Sequence, residues 1–387
     1  MKTPQNTSTI EISRSAYKHN LGVIRKLIGD DVLFTSVVKG NAYGHGINEF
    51  VPLAYEEGVR NFAVFDAFEA YRVKKAIGLK NIFLMVMGMI NDDELEWAIE
   101  NEVDFYVFNL DRLNKTLEAA KKTGKQAKVH IEVETGMNRT GFERKVLKKA
   151  ITILKENKEQ IRFRGLCTHF AGAESLANYL RVKSQFENYN EILQVFKKEG
   201  LEPELKHTAC SAAVLSYPET ILDMARIGIL QYGLWPSKEI SVLNFLNNRK
   251  DPLKLQRIIS WKSQVMEVKD VKAGEYVGYG NSYLAERSIK IAVIPVGYAH
   301  GFSRVLSNVG RVLIHGKRLS VIGLVNMNVM IVEITNARAV KPGDEVVIIG
   351  RQNNLDLTVS SFSDLSNQLN YELLSRLPHD IPRRIVE

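Results

Sequence analysis

A lysine followed at once by a glycine-rich run is the first group in this sequence with the makings of a reagent: Val37-Val38-Lys39-Gly40-Asn41-Ala42-Tyr43-Gly44-His45-Gly46. At the end of an apolar strand an ammonium sits where water is scarce, which lowers its pKa and makes the neutral amine a competent nucleophile. A lone strand-end lysine can equally be a surface group lying along apolar neighbours. Here its companions decide. Glu132-Val133-Glu134-Thr135-Gly136-Met137-Asn138-Arg139 ends a second apolar run on a guanidinium, and Thr168-His169-Phe170-Ala171 ends a third on an imidazole. His207-Thr208-Ala209-Cys210-Ser211 and Arg226-Ile227-Gly228-Ile229 follow, with small residues that let backbone N–H groups approach an anion and a Ser211 hydroxyl that can donate. If one fold gathers Lys39, Arg139, His169, Ser211 and Arg226, that much positive charge needs an anion to neutralise it.

The elements that must position these groups are legible as alternation. Short apolar or β-branched runs occur at residues 32–39, 62–65, 82–87, 103–108, 127–134, 163–170, 204–211 and 225–232. Most are separated by stretches with apolar residues every three or four positions, as at 17–28, 66–76, 92–100 and 180–198. Eight β-α units predict an α/β fold, a TIM-like (β/α)8 barrel, whose functional groups gather at the carboxyl ends of its strands. A long doubly wound sheet is the rival, but no GxGxxG follows an early strand. Beyond Trp235-Pro236 the runs at 260–269, 289–296, 311–314, 319–324, 330–334 and 345–349 alternate with period two, and glycines punctuate them. They predict a mainly antiparallel β domain. The expected division is residues 13–245 for the barrel and 246–387 for the β domain, with residues 1–12 packed on the latter.

At 387 residues two domains are expected, and a net charge of +8 would suit nucleic acid only if it were clustered. The densest pairs, Lys148-Lys149 and Lys197-Lys198, lie in helix-like segments, so neither nucleic acid nor a membrane is an expected partner. Cys167 and Cys210 lack metal-ligand spacing and read as buried free thiols, with no metal site. The amino terminus has no apolar core of the signal-peptide kind and no run is long enough to span a bilayer, so a cytoplasmic location is expected.

Together these segments resemble the alanine racemase family over nearly the whole chain. VVKGNAYGHG is similar to its cofactor-lysine motif and VETGMNRTGF to its arginine segment; THFAGAES, HTACSAAVL, ARIGILQYG, EYVGYGNSY, IPVGYAHGFSR, GLVNMN and LNYELLSRLPHDIPR follow in the family's order. The resemblance implies a homodimeric amino-acid racemase interconverting L- and D-alanine, with pyridoxal phosphate bound to Lys39. Tyr43, Ser211, Gly228, Ile229 and Tyr371 would hold the phosphate, Arg226 would face the pyridine nitrogen, and His169 would lie near the ring. Arg139 would reach the substrate carboxylate. Tyr279 would be the second base, supplied with Tyr298, Arg304 and Met327 across the dimer. Racemisation requires acid/base groups on both faces of the reacting carbon, and a tyrosine, whose reference pKa is about 10, needs cations nearby to serve as one.

Four positions depart from the family's pattern. Glu132 stands where the family often carries a carbamylated lysine that orients the arginine, and a glutamate supplies a carboxylate directly. Asn328 and His300 each replace a usual aspartate, and Cys210 a usual asparagine. The last three lie near the expected substrate entrance or the cofactor loop; losing two aspartates removes negative charge from the site's surroundings and the changes alter its hydrogen bonding, which keeps a serine or broad-spectrum racemase open. A decarboxylase of the same fold type and a non-catalytic pyridoxal-phosphate carrier are further rivals, although carriers generally lack the β domain and a counterpart of Tyr279.

Overall fold

The computed structural model describes residues 4, 6–78, 81–247, 249–366 and 370–387. Of the segments singled out above, Met1, Lys2, Thr3 and Gln5 of the amino-terminal run and Leu369 of the last motif lie outside the described residues. The chain divides into two compact units. One is Ala16–Gly40 with Val51–Arg257; the other combines Met1–Ser15, Asn41–Phe50 and Ile258–Glu387. The second unit thus begins at 258 rather than 246, and it takes in the ten residues that follow Lys39-Gly40.

After the amino-terminal strand β1 (Ser8–Ser13), eight strands build the first unit: β2 (Leu33–Val37), β3 (Asn61–Val64), β4 (Phe83–Val86), β5 (Asp104–Val107), β6 (Ala127–Glu132), β7 (Ile161–Cys167), β8 (Leu205–His207) and β9 (Met224–Ile227). All their ladders are parallel, in the order β8-β7-β6-β5-β4-β3-β2-β9. The two ends of this sheet meet. Asp223 N–H donates to Lys206 O at 3.0 Å and Arg226 N–H to Ala209 O at 3.1 Å, and a parallel bridge joins Cys210 to Arg226. The α/β expectation therefore stands as a closed (β/α)8 barrel.

Near-continuous apolar runs suit such strands because both faces are covered. The helices between them start on recognisable signals. Asp66 accepts the Glu69 N–H at 2.8 Å and Asn109 the Arg112 N–H at 2.8 Å, side-chain caps that stabilise a helix by about 1 kcal/mol each. The expected strand over 204–211 is only Leu205–His207, because Cys210 already caps the short helix Ser211–Ser216. Cys167 is buried as expected, whereas Cys210 is only half-buried; both are free thiols.

In the second unit, β1 joins β10 (Ile259–Gln264), β11 (Glu267–Val271), β12 (Ile289–Ile294), β13 (Arg311–Ile314), β14 (Lys317–Ile322), β15 (Met330–Glu333), β16 (Glu345–Gln352), β17 (Leu355–Leu357) and β18 (Arg383–Val386). The order is β11-β12-β15-β14-β13-β16-β10-β1-β18, with β17 on β16, and every ladder is antiparallel except β1–β18. The single run expected over 260–269 splits in two. At its middle Val265 N–H bonds Asp344 O and Met266 N–H bonds Val293 O, which transfers the chain from partner β16 to partner β12. Ile10, Ile12, Trp261 and residues 346–349 are wholly buried in this core.

Candidate active site

The barrel strands bury several polar residues among their apolar ones: Asp104, His130, Glu132, His207 and Arg226. Buried charge is tolerated only when paired, so these residues define where the sequence has something other than packing to do.

Lys39 lies two residues beyond the end of β2. The end of that strand is clamped by Tyr232 Oη and Gln231 Nε2, which donate to Val37 O at 3.0 and 3.1 Å, and by Val38 N–H donating to Ala63 O at 2.8 Å. Its side chain is exposed, yet enclosure by surrounding protein, followed by the charges of Arg139 and Arg226, pushes its pKa down from the ordinary lysine value. Solvent screening tempers that shift. The backbone beyond is unusual: Gly40, Asn41, Ala42, Tyr43 and Gly44 all have φ between 51° and 81°. Left-handed turns cost L-residues about 1–2 kcal/mol each, and three of these five have side chains. Local bonds hold the turn, with Asn41 Oδ1 accepting from Ile47 N–H at 3.1 Å and Gly46 N–H donating to Asn41 O at 2.9 Å. Nothing in the alternation of the sequence signalled this left-handed coil, beyond its glycines.

Arg226 is the most constrained side chain of the mouth. Nη1 donates to His207 Nδ1 at 2.5 Å and His207 O at 2.8 Å, and Nη2 to Thr168 O at 2.8 Å and Thr208 O at 3.1 Å. Four of five guanidinium hydrogens are thereby committed, leaving Nε–H. Ser211 Oγ accepts the Gly228 N–H at 3.0 Å and the Leu230 N–H at 3.5 Å, so the hydroxyl and the loop after β9 form one cluster that includes Ile229.

His169 ends the β7 segment, where buried Gln185 bonds Ala171 N–H at 3.0 Å and His169 O at 3.4 Å. Burial, then the charges of Arg226, Arg139 and Lys39, pushes its pKa down to about 3, so its ring is neutral. Arg139 is exposed and, among the described residues, has no hydrogen bond or ion pair. Glu132 is buried at the end of β6. Burial raises its pKa, against the lowering effects of a Thr140 hydrogen bond and of Arg139 and Arg226. The barrel mouth therefore brings together Lys39, Arg139, His169, Ser211, Arg226, Gly228 and Ile229, with Glu132 among them. A separate cavity of roughly 610 Å³, lined by Lys74, Glu100, Asp104, Lys128 and Arg164, lies at the amino-terminal ends of the strands and holds none of the expected site residues.

The remaining candidates belong to the second unit. Tyr43 and Tyr371 meet edge to face, ring centroids 6.1 Å apart. Tyr298 and Met327 are drawn together because Tyr298 N–H donates to Asn326 O at 3.0 Å and Ala299 N–H to Met327 O at 2.9 Å. Gly297 permits that approach, since an added Cβ would lie 2.1 Å from Asn326 O. His300 Nδ1 accepts the Gly297 N–H at 3.2 Å, and Arg304 is exposed on the next short turn. Tyr279 stands 71% exposed between Gly278 and Gly280, both in left-handed backbone.

Residues 12–236 match the model of the alanine racemase N-terminal domain, and residues 258–385 that of the alanine racemase C-terminal domain. This chain belongs to the alanine racemase family. The alanine racemase of Methanococcus maripaludis is 34% identical over 375 residues, 96% of this chain and 97% of that one. That of Desulforamulus reducens is 35% identical over 376 residues, 96% and 97%. Among solved structures, the alanine racemase of Clostridium difficile 630 superposes with a TM-score of 0.90 at 29% identity, covering 99% of this chain and 97% of that one. The alanine racemase of Bacillus anthracis with bound L-Ala-P gives 0.91 at 29%, covering 100% and 96%. The similarity to alanine racemases thus runs through both units, and no described helix is long and apolar enough to cross a membrane.

Proposed function

We propose that this alanine racemase, an isomerase of L- and D-alanine, works as a homodimer by a two-base mechanism with pyridoxal phosphate as its cofactor, Lys39 being one base and Tyr279 of the partner subunit the other. The observation that carries the cofactor reading is charge. Lys39, Arg139 and Arg226 place three basic side chains at one mouth, where Glu132 is buried and burial opposes its ionisation, while the partly buried Glu69 and Glu134 nearby are already bonded to backbone N–H groups. The donor set fits a phosphorylated pyridine aldehyde. Lys39 offers an amine of lowered pKa, Ser211 and the Gly228-Ile229 backbone suit a phosphate, and the neutral His169 suits a flat ring. Tyr43 and Tyr371 would add phenolic donors to the phosphate. The Nε–H that Arg226 has not committed to the protein suits the ring nitrogen, and because a guanidinium cannot give up its proton, that nitrogen would stay unprotonated.

When bound, pyridoxal phosphate delocalises the charge left at the substrate carbon as its hydrogen departs. Everything else falls to side chains. Arg139, exposed and unpaired, is suited to the alanine carboxylate, and Glu132, whose carboxyl feels its charge, would be the group that orients it without a carbamylated lysine once substrate is bound. Lys39 Nζ and the partner subunit's Tyr279 each hold or accept a proton at the substrate Cα, one on each face. The exposure of Tyr279 and its flanking glycines suits a group presented to another subunit. Tyr298, Arg304 and Met327 would border the same pocket across the dimer, and the cytoplasm is the location this reading assigns.

The test is Tyr279→Phe. Racemisation of both alanine enantiomers should be abolished while the visible absorbance of the bound cofactor persists, because only proton transfer on one face is removed. Wild-type turnover in this variant would remove Tyr279 from the mechanism. A panel of L-amino acids followed by chiral analysis would show how far His300, Asn328 and Cys210 widen the substrate range towards serine.

A further inference from the structure

Behind Arg226 lies an unbroken line of buried hydrogen bonds. His207 Nε2 and His130 Nδ1 are 2.8 Å apart, and His130 Nε2 is 3.1 Å from Asp104 Oδ2. Asp104 also receives Arg164 Nε at 3.2 Å, and Arg164 in turn pairs with Glu204. Asp104, His130, His207 and Arg226 are all buried.

The protons in this line can be placed by elimination. A guanidinium only donates, so His207 Nδ1 must accept and its single hydrogen lies on Nε2. His130 Nδ1 must then accept, and its own hydrogen, on Nε2, points at the Asp104 carboxylate. Both imidazoles are therefore neutral and locked in one tautomer. Burial depresses the pKa of each, which agrees with that assignment. The aromatic groups packed on the line are Tyr106 and Phe83; its charged neighbours are Asp104, Arg164 and Arg226.

The backbone makes two concessions to this arrangement. Between Val129 and His130 the β6–β7 register shifts by one residue, Arg164 being the extra residue on β7, which brings Gly165 level with His130. Opposite His130 stands Gly165, where a Cβ would lie 2.1 Å from His130 Nδ1. Only glycine leaves room for the ring. A packed barrel interior has no need of a carboxylate, two histidines, a bulge and a missing side chain in succession; an apolar filling would serve packing as well.

We propose that Asp104, His130 and His207 are positioning residues that act through Arg226, fixing its guanidinium in one orientation so that Nε–H alone remains for the cofactor ring nitrogen. The proposal rests on the reading of Arg226 given above. The Asp104 charge polarises each bond in turn and strengthens the acceptor that Arg226 meets.

The test has two arms. In wild-type protein labelled with 15N-histidine, His130 and His207, assigned by loss of signal in His130→Gln and His207→Gln, should each show a hydrogen on Nε2, a bare Nδ1, and no titration from pH 6 to 9. A hydrogen on Nδ1, or titration of either ring near its reference pKa of about 6.5, overturns the proposal. In the second arm Gly165→Ala displaces the His130 ring without touching Arg226 or Lys39. The His130 signals should move, kcat should fall at least about tenfold with KM for alanine held within about twofold, and the pH profile of the cofactor's visible band should shift. Wild-type kcat and an unshifted profile in a folded variant with moved His130 signals overturn it too. If Gly165→Ala does not fold, Asp104→Asn carries the same readouts. A wild-type protein that takes up pyridoxal phosphate without any visible band would instead sink the cofactor reading, and the histidine spectra separate that failure from this one.

Discussion

Gly44→Ala is the substitution through which the left-handed turn after Lys39 can be tested most directly. At φ +81°, Gly44 sits in backbone that costs an L-residue about 1–2 kcal/mol. Its added methyl would also lie 1.9 Å from Leu374 O and 2.6 Å from Leu374 C, both backbone atoms that cannot swing aside. Restoring an ordinary 3.4 Å contact from 1.9 Å requires a separation of 3.4 − 1.9 = 1.5 Å between the Gly44 turn and the helix Asn370–Ser375. Two bonds from Arg383, at 3.2 and 3.0 Å, hold Gly44 O and resist that movement. Tyr43 precedes Gly44, and Tyr371 lies one turn before Leu374, so the clash drives apart the two phenols that meet edge to face at 6.1 Å. Losing one hydrogen bond to a charged phosphate is worth about 1.5–3 kcal/mol, or roughly 10- to 150-fold in affinity. Pyridoxal phosphate titrated into the stripped variant and followed by absorbance should therefore bind at least about tenfold more weakly than in wild type. A folded variant that binds the cofactor as tightly as wild type would refute both the strain reasoning and the assignment of Tyr43 and Tyr371 to the phosphate.

Two further substitutions report on the fold alone. Gly22→Ala fills open space on the exposed face of the helix Arg14–Ile28 and should raise stability in urea unfolding by roughly 0.5–1 kcal/mol, while an unfavourable change would contradict the open surface there. His45 is wholly buried, and its Nδ1–H donates to Ala42 O at 2.8 Å; burial pushes its pKa down from 6.5 to about 4, against the raising effect of its backbone hydrogen bonds. The unfolded chain then binds this proton more tightly than the folded one, so the stability is complete above pH 6.5 and declines as the pH falls towards 4. By pH 5 the loss from this group should be roughly 2 kcal/mol, read as a smaller pH dependence of the urea midpoint in His45→Asn; equal pH dependence in the two proteins would contradict the buried neutral ring.

The barrel was legible because fully covered parallel strands advertise themselves as short apolar runs between amphipathic helices, and because the doubly wound alternative lacked its glycine-rich fingerprint after an early strand. Strand ends were less so. The run over 32–39 looked like one strand through Lys39, but the ladder stops at Val37, since the turn that follows is left-handed and offers no extended backbone. Such a turn leaves no periodic trace; only the density of glycines in Gly40-Asn41-Ala42-Tyr43-Gly44 hints at it. The run over 260–269 hid its break for a related reason. A strand that exchanges one partner for another keeps its alternation, and the exchange is written in bonds to Asp344 and Val293, residues distant in sequence.

The residues at strand ends were found because chemistry-bearing types stand out against apolar runs, and because barrel geometry says where such types gather. The line behind Arg226 escaped for the opposite reason. In Ala127-Lys128-Val129-His130-Ile131-Glu132 the polar residues alternate with apolar ones, which in an open half-buried sheet assigns Lys128, His130 and Glu132 to water. A barrel overturns that assignment, because its outer face packs on helices and its inner face takes whatever fills the centre. His130 and Glu132 are buried, while Lys128, at the foot of the strand, reaches Glu102 at 3.4 Å. Only the position along the barrel axis separates a surface lysine, an interior histidine and a carboxylate at the mouth, and that position is set by register and by the bulge at Val129/His130. The joint signal in the sequence was slight: Asp104, His130 and His207 lie on three different strands and step upward, Asp104 two residues below Tyr106, the register partner of His130, and His207 two above Leu205, the partner of Gly165. Gly165 is the most telling of these, because this strand glycine, beside the register shift, leaves space that a Cβ would fill, and the neighbour that uses the space is His130.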